Sequence, residues 1–555
     1  MVLVLGTIGS ATAQYGSALE EYYLASLDEG SKDSALCKRG YNAYLFGQYK
    51  EAYRYYSRVS EKWVEKMSEE DFLAYAISCI NFRKLESAIE IYEYLSLGKS
   101  QYAHILQGEI FKKLEELDNA DPQTLPHEEI YPLLRYCNER HQYERTLELC
   151  DKVYNYIGYN EVVNYYKAEA YYSMGALAKA ESCLENLVNI SSGRILDSAS
   201  LSFFNKWAFL AGKMYYADGD VENAFLFMNE VMNNRFLNGG LYRPDVMSWV
   251  MYNRLEKQDE VAKELLTPFL AWDMDADIRF FSQFLMADIL QRQGFESASL
   301  TSWKNLVSDE SLNGNNVFSH IACNKMGLLQ EADEYFDLLL RKESMTEYDY
   351  YSAAYGYIMR GDKERTLAYA KRAIDTSHDP MWAQYFIKDD VFAPIKKQVK
   401  GYMKEKEKMV EKKYPKKKYS YKQMEIPFYW EDGIMVVECS LNGMNRKMYF
   451  DTGSSYSSIG KSEAYEMYTR GHLSEDDILF PVDAEVADGR VVESNMVIVK
   501  EIKVGDFVLK DVRTMVDSND SNGMLLLGQS VLTRFEKFEI DYENFVIRLT
   551  YKVEK

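Results

Sequence analysis

The sequence predicts a multidomain chain: an all-α repeat solenoid over residues 18–403, then a small all-β barrel over residues 424–555. Two observations carry this division. In the first part, apolar and tyrosine residues recur at three- and four-residue spacing, and a small-residue phrase returns with a fixed period. After Pro427 the helical period stops, and short alternating segments separated by Asn-Gly, Asp-Gly and Gly-Asp turns take over.

The composition is that of a folded protein: 555 residues, 47% hydrophobic, with only 10 Pro. Its 65 Lys and Arg against 86 Asp and Glu give a net charge of −21, which disfavours nucleic acid as a partner because phosphate binding relies on clustered cations. No run of about 18 apolar residues occurs, so no transmembrane helix is expected. The six His are scattered and His127-Glu128-Glu129 lacks a second ligand at helical spacing, so neither a metal nor a cofactor is expected. The seven Cys are an odd number without CxxC spacing and read as small buried apolar side chains; in an exported protein, Cys137 and Cys150 are a candidate pair.

Residues 1–13 pair a short apolar run with Ala11-Thr12-Ala13, the small-x-small pattern of a signal peptide, and predict export to a periplasmic or extracellular space. The run lacks Lys and Arg and is short, so the alternative is a buried segment of a cytoplasmic protein.

The repeat phrase is Gly47-Gln48-Tyr49-Lys50-Glu51-Ala52 with Tyr56, and returns as Gly175 to Ala180 with Leu184, Gly219 to Ala224 with Met228, and Gly327 to Ala332 with Phe336. A weaker copy runs from Gly361 to Thr366 with Ala370. The small positions are Ala52, Ala88, Thr146, Ala180, Ala224, Ala262, Ala298, Ala332 and Thr366, several of them 34 residues apart. That period suits a helix-turn-helix unit whose Gly makes the turn and whose small residue lets paired helices approach. These segments resemble tetratricopeptide repeats, about nine or ten copies with a gap near 105–135. Most Tyr, Met and Trp here read as solenoid core. The resemblance implies a protein partner on the concave face.

Residues 404–423 read as a Lys-rich linker: from Lys404 to Lys422 there are nine Lys against three Glu, the solvated end of the last helix followed by a break at Pro415. Beyond it, Ile434–Leu441 and Lys447–Phe450 flank Asn442-Gly443 as a hairpin. Asp488-Gly489 forms a second hairpin tip, and Val504-Gly505-Asp506 separates a further strand pair.

Chemical character concentrates in Met448-Tyr449-Phe450-Asp451-Thr452-Gly453-Ser454-Ser455, where an apolar strand delivers a carboxylate into a sharp turn. A buried acid is costly unless bonded or functional. About 75 residues on, Met524-Leu525-Leu526-Leu527-Gly528 is an apolar strand ending in Gly before a short helical turn. The order of hairpin, Asp-Thr-Gly, second hairpin, apolar-apolar-Gly and closing strands resembles a retropepsin-like aspartic peptidase domain. That resemblance implies Asp451 as the catalytic carboxylate, Thr452, Gly453 and Ser454 as the active-site turn, Ala487, Asp488 and Gly489 as the flap, and Leu527 and Gly528 as the supporting loop. It also implies better activity at mildly acidic pH and a peptide or protein substrate.

Such chemistry needs two carboxylates sharing a proton. The chain holds one Asp-Thr-Gly; Asp517 is the nearest second acid, but Asn519 stands where a Gly would be needed. Two readings follow. One is an aspartic endopeptidase acting as a homodimer, with Asp451 of two chains forming the dyad and the repeats recruiting substrate, positioning the dimer or gating access. The other is a non-catalytic interaction scaffold with a degenerate peptidase-like domain.

Overall fold

Nine residues of left-handed backbone set the helical part. Gly47, Gly175, Gly219, Gly294, Gly327 and Gly361, with Arg83, His141 and Lys257, all have positive φ, and each stands two residues before the second helix of a pair. Gly takes this conformation without steric cost, which is why the glycines were the readable part of the phrase. The computed structural model describes residues 29–554 apart from 65, 158–159, 192–197, 239–242, 271–275, 309–316, 416–418, 486–490 and 518–524. The expected signal peptide at 1–13 lies outside the described residues.

The pairs are α1 (Glu29–Leu45) with α2 (Tyr49–Tyr56), and α3 (Glu69–Asn81) with α4 (Leu85–Leu97). An unpaired α5 (Gln101–Asp118) accounts for the gap near 105–135. Then come α6 (His127–Glu139) with α7 (Tyr143–Ile157), α8 (Glu161–Ser173) with α9 (Leu177–Ser191), α10 (Ser198–Asp218) with α11 (Val221–Asn238), and α12 (Arg243–Leu255) with α13 (Asp259–Phe269). The series ends with α14 (Ala276–Arg292) and α15 (Glu296–Ser308), α16 (Ser319–Met326) and α17 (Leu329–Leu340), and α18 (Glu347–Met359) and α19 (Lys363–Ser377). The fourth residue of each second helix is the small buried one: Ala52, Ala88, Thr146, Ala180, Ala224, Ala262, Ala332 and Thr366 are all 1% exposed or less.

One register differs from the sequence expectation. Ala298 is exposed, and Ser299 takes the buried small position at 3% exposure. Its hydroxyl donates to the Ala287 carbonyl at 3.0 Å, so a polar side chain fits there by bonding the partner helix.

The described residues pack as two compact units. One holds the residues up to Arg140, Glu148–Asn160 and Tyr421–Lys552; the other holds His141–Leu147, Glu161–Ser420 and Val553–Lys555. In the second unit, α20 (Trp382–Lys388) and the 3-10 turn Asp390–Ile395 pack against the first helices of the pairs. Tyr172 and Lys213 hold Asp379, Gln384 donates to the Ala217 carbonyl, and Lys388 pairs with Glu256. Arg254 bridges Asp288 at 2.7 Å and Asp389 at 2.9 Å. Tyr385, Phe386 and Phe392 are fully buried there. This inner face of α8 to α18 is therefore filled by the chain's own segment. Helix α21 (Lys396–Lys413) takes up the first half of the Lys-rich stretch.

Buried His320 gives this unit a pH dependence. Its Nε2 lies 2.7 Å from Ser352 Oγ, whose own proton goes to the Val317 carbonyl, so the imidazole donates and Nδ1 carries no proton. Burial and the nearby Arg360 push its pKa down to about 3. The unfolded imidazole takes a proton below about pH 6.5 while the folded one does not, so stability falls as pH drops from there toward 3, by about 1.4 kcal/mol per unit. His320→Gln, neutral throughout, is expected to unfold at lower temperature at pH 7 and to show a shallower loss between pH 6.5 and 5 in thermal melts.

The β domain, in the first unit except for the outer ends of its first and last strands, consists of β1 (Tyr419–Glu431), β2 (Ile434–Leu441), β3 (Met444–Phe450), β4 (Ser457–Gly460), β5 (Ile478–Glu485), β6 (Val491–Val504), β7 (Phe507–Asp517), β8 (Leu526–Leu527), β9 (Lys537–Asp541) and β10 (Val546–Glu554). Strand β1 starts five residues ahead of the boundary expected at 424. Asn442 and Gly443 have φ of 46° and 85°, as the Asn-Gly hairpin requires. The sheet order is β5-β6-β7-β4-β8-β3-β2-β1-β10-β9. An extra β6–β2 pairing, with Cys439 opposite Val504 and Leu441 opposite Ile502, closes β2, β3, β8, β4, β7 and β6 into a barrel. Met448, Phe450, Ile459, Val499, Val512 and Leu527 fill it. Cys439 lies in the same core, and burial pushes its thiol up to about 12. Among the described residues no disulfide forms; Cys137 and Cys150 are each fully buried. No described helix is long and apolar enough to cross a membrane.

Candidate active site

Strand β3 is apolar on its inward side, with Met448 and Phe450 in the barrel core, and Asp451 follows directly on its last residue. The two-residue β8 then threads between the strands that flank the turn. It runs parallel to β3, with Tyr449 opposite Leu526 and Phe450 opposite Leu527, and meets β4 on its other side, with Ser458 opposite Leu526. Asp451 N donates to the Leu527 carbonyl at 3.2 Å. Leu527 is 1% exposed, so the carboxylate is mounted on a buried strand pair while Thr452, Gly453 and Ser455 face solvent.

The turn is held by bonds that run in both directions. Gly453 N–H donates to Asp451 Oδ1 at 2.8 Å, folding the half-buried carboxylate over its own turn. Gln529 reaches across the gap of 77 residues: its backbone N–H donates to the Ser454 carbonyl at 2.9 Å, and its side-chain amide to the Thr452 carbonyl at 2.7 Å. Ser454 Oγ bonds the Tyr456 carbonyl at 2.7 Å. Beneath these, Gly528 N–H donates to Ser457 Oγ at 3.0 Å and Ser457 N–H to Ser530 Oγ at 2.9 Å. A Cβ on Gly528 would overlap the Tyr456 carbonyl oxygen and stand 2.6 Å from its carbon, so only Gly fits under the turn.

The predicted residues thus separate into three groups. Asp451, Thr452, Gly453 and Ser454 form one turn, and Leu527 and Gly528 support it from below. Strands β5 and β6 form an antiparallel hairpin with Glu485 opposite Val491, but its expected flap residues Ala487, Asp488 and Gly489 lie outside the described residues. Asp517 is not brought to Asp451: β7 runs parallel to β4, so Asp517 lies opposite Gly460, at the end of β4 away from the turn. Thr452 contributes its carbonyl to the supporting bonds. Sequence reading missed Gln529, Ser457 and Ser530. The available signal was three hydroxyl residues, Ser457, Ser458 and Ser530, beside apolar strands, since buried hydroxyls need partners.

Residues 437–534 match the family described as gag-polyprotein putative aspartyl protease. Among solved structures, the chain is similar to a retropepsin-like aspartic protease from Rickettsia conorii, with 24% identity over 25% of this chain and 98% of that one, and a TM-score of 0.20. It is also similar to the apo form of RapI, with 12% identity over 62% of this chain and 97% of that one, and a TM-score of 0.34. No curated protein matches the chain. The C-terminal part of this chain is thus a closed β-barrel that carries the Asp451 turn and matches the model of an aspartyl-protease family over 437–534, and it follows an all-helical repeat region.

Proposed function

We propose that the chain is an aspartic endopeptidase that works as a homodimer. The observation that carries this reading is the mounting of Asp451: a carboxylate fixed by buried strands on one side, with a solvent-facing Asp-Thr-Gly turn on the other. A second copy brought against that turn supplies the second carboxylate. Two carboxyl groups in contact share one proton. The ionised one accepts a proton from water as the water oxygen bonds to the scissile carbonyl carbon, and the protonated one gives its proton to the carbonyl oxygen. Collapse of the tetrahedral species breaks the C–N bond, with a proton passing to the leaving nitrogen.

The test is cleavage of an unbiased peptide library across pH 4 to 7, with molar mass measured at the same concentrations. Activity that rises with the dimer fraction is expected. A chain that is strictly monomeric and inert would move the reading to a non-catalytic scaffold.

The repeats, in this reading, recruit the protein substrate. With the inner face of α8 to α18 filled from within the chain, the surface we assign to a partner is the cleft of ≈ 540 Å³ between α1 and α3, lined by Cys37, Lys38, Tyr41, Trp63, Lys66 and Asp71. Lys66 lies 4.9 Å from the Trp63 ring, so the cleft offers an aromatic wall with a cation at its rim. Trp63→Ala is expected to raise KM for protein substrates severalfold and leave short peptides unaffected. Equal effects on both, or none, would remove the recruiting role.

A further inference from the structure

The strands carrying the second hairpin are buried on both faces, and only one of those faces belongs to the barrel. Val497, Val499 and Val512 point into the barrel core. Their neighbours Met496, Ile498 and Arg513 point the other way by strand alternation. Even so, Met496 and Arg513 are 1% exposed and Ile498 5%. Phe480 is also 5% exposed, although β5 is an end strand of the sheet. Ile498 stands opposite Arg513 and Phe480 opposite Met496, so the four make one patch on the outer wall.

Residues of the helical part of the same unit reach this patch. Arg513 Nη2 donates to the Pro122 carbonyl at 3.0 Å and to the Leu125 carbonyl at 2.9 Å, both in the turn between α5 and α6. That turn is held in shape by its own bonds, Thr124 N–H and Oγ1 to the Asp121 carbonyl and Leu125 N–H to the Pro122 carbonyl. The Arg513 guanidinium lies 5.6 Å from the centroid of the Phe480 ring, and Arg83, in the turn between α3 and α4, lies 5.9 Å from the same ring. A guanidinium is buried at a cost that its acceptors must offset, so this contact ties the β domain to these particular backbone carbonyls and not to a general apolar surface.

We infer that the patch is a clamp by which the helical layer fixes the base of the β5–β6 hairpin, with Arg513 as the positioning residue. The placement of β5 and β6 is then set by the helical layer as well as by the barrel, and with it any contact these strands make to substrate. The catalytic consequence rests on the peptidase reading; the mechanical coupling does not.

Hydrogen exchange on the full chain, read by mass spectrometry, tests both. In Arg513→Met, amides of β5 and β6 are expected to exchange about tenfold faster while those of β2 and β3 keep their protection, because local opening and global unfolding are separable. Arg513→Lys, which keeps a cation but not the two-carbonyl reach, is expected to fall between. Unchanged protection in β5–β6, or loss shared equally by β2–β3, would overturn the clamp. Should Arg513→Met not fold, Arg83→Asn decides: it keeps the left-handed turn and removes only the second cation over Phe480. Faster exchange confined to β5 then supports the clamp, and none overturns it. With a cleavable peptide, Arg513→Met is expected to shift KM more than kcat. A loosened hairpin in a chain that cleaves nothing would leave the clamp standing and remove the peptidase.

Discussion

Asp451→Asn abolishes peptide hydrolysis in the expected result, with a loss on the order of 10³-fold or more, because neither chain of the proposed dimer then carries a base for water. The substitution is nearly isosteric. Its amide oxygen can still accept the Gly453 N–H that Asp451 Oδ1 accepts at 2.8 Å, and the bonds from Gln529 to the Thr452 and Ser454 carbonyls do not involve the side chain at all. Thermal stability and molar mass should therefore stay close to those of the wild type, which separates lost chemistry from lost fold. Mixing the two chains sharpens the test. If the dyad draws one carboxylate from each chain and subunits exchange freely, adding an equal amount of Asp451→Asn lowers the activity per wild-type chain by about half, since half of the wild-type chains then sit in mixed dimers. A site complete within one chain would show no such dilution. Cleavage that persists in Asp451→Asn would end the assignment.

The largest expected effect on stability comes from Gly528→Ala. The added methyl would stand 2.6 Å from the Tyr456 carbonyl carbon and 2.9 Å from the Ser454 carbonyl oxygen. Both are backbone atoms of the turn that follows Asp451 and cannot rotate away. Either β8 or the turn must move, and β8 is held by its ladders to β3 and β4. A cost of about 3 kcal/mol or more is expected from overpacking against backbone. It would be read as a lowered melting temperature of the β domain, with activity lost alongside because Asp451 is carried on the strand that β8 pairs with. An unchanged melting curve would mean that the close approach of β8 to the turn is not as described.

The parts of this protein that sequence determined by itself are those governed by local backbone chemistry. The left-handed turns at Gly175, Gly219, Gly327 and Gly361 declared themselves because Gly takes positive φ cheaply, and Asn442-Gly443 declared its hairpin for the same reason. The switch from helical to alternating period after Pro427 follows from the same local chemistry, and β1 begins at Tyr419. The repeat register failed at one place, Ala298 against Ser299, because burial there is decided by a hydrogen bond to a neighbouring helix and not by side-chain size alone. Turns in which Arg83, His141 and Lys257 adopt positive φ were less legible, since tertiary packing imposes on them what Gly would accept freely.

Tertiary structure alone decided what joins residues far apart in the chain. The passage of β8 between β3 and β4, the two bonds from Gln529 into the turn and the Ser457–Ser530 link connect segments about 70 residues apart, and no local pattern encodes such a pairing. The same holds for the filling of the inner helical face by Asp379–Ile395 and for the 391-residue reach from Arg513 to Pro122. Local propensity fixes which elements form; which of them meet depends on long-range closure, whose entropy is recovered only when the whole core packs.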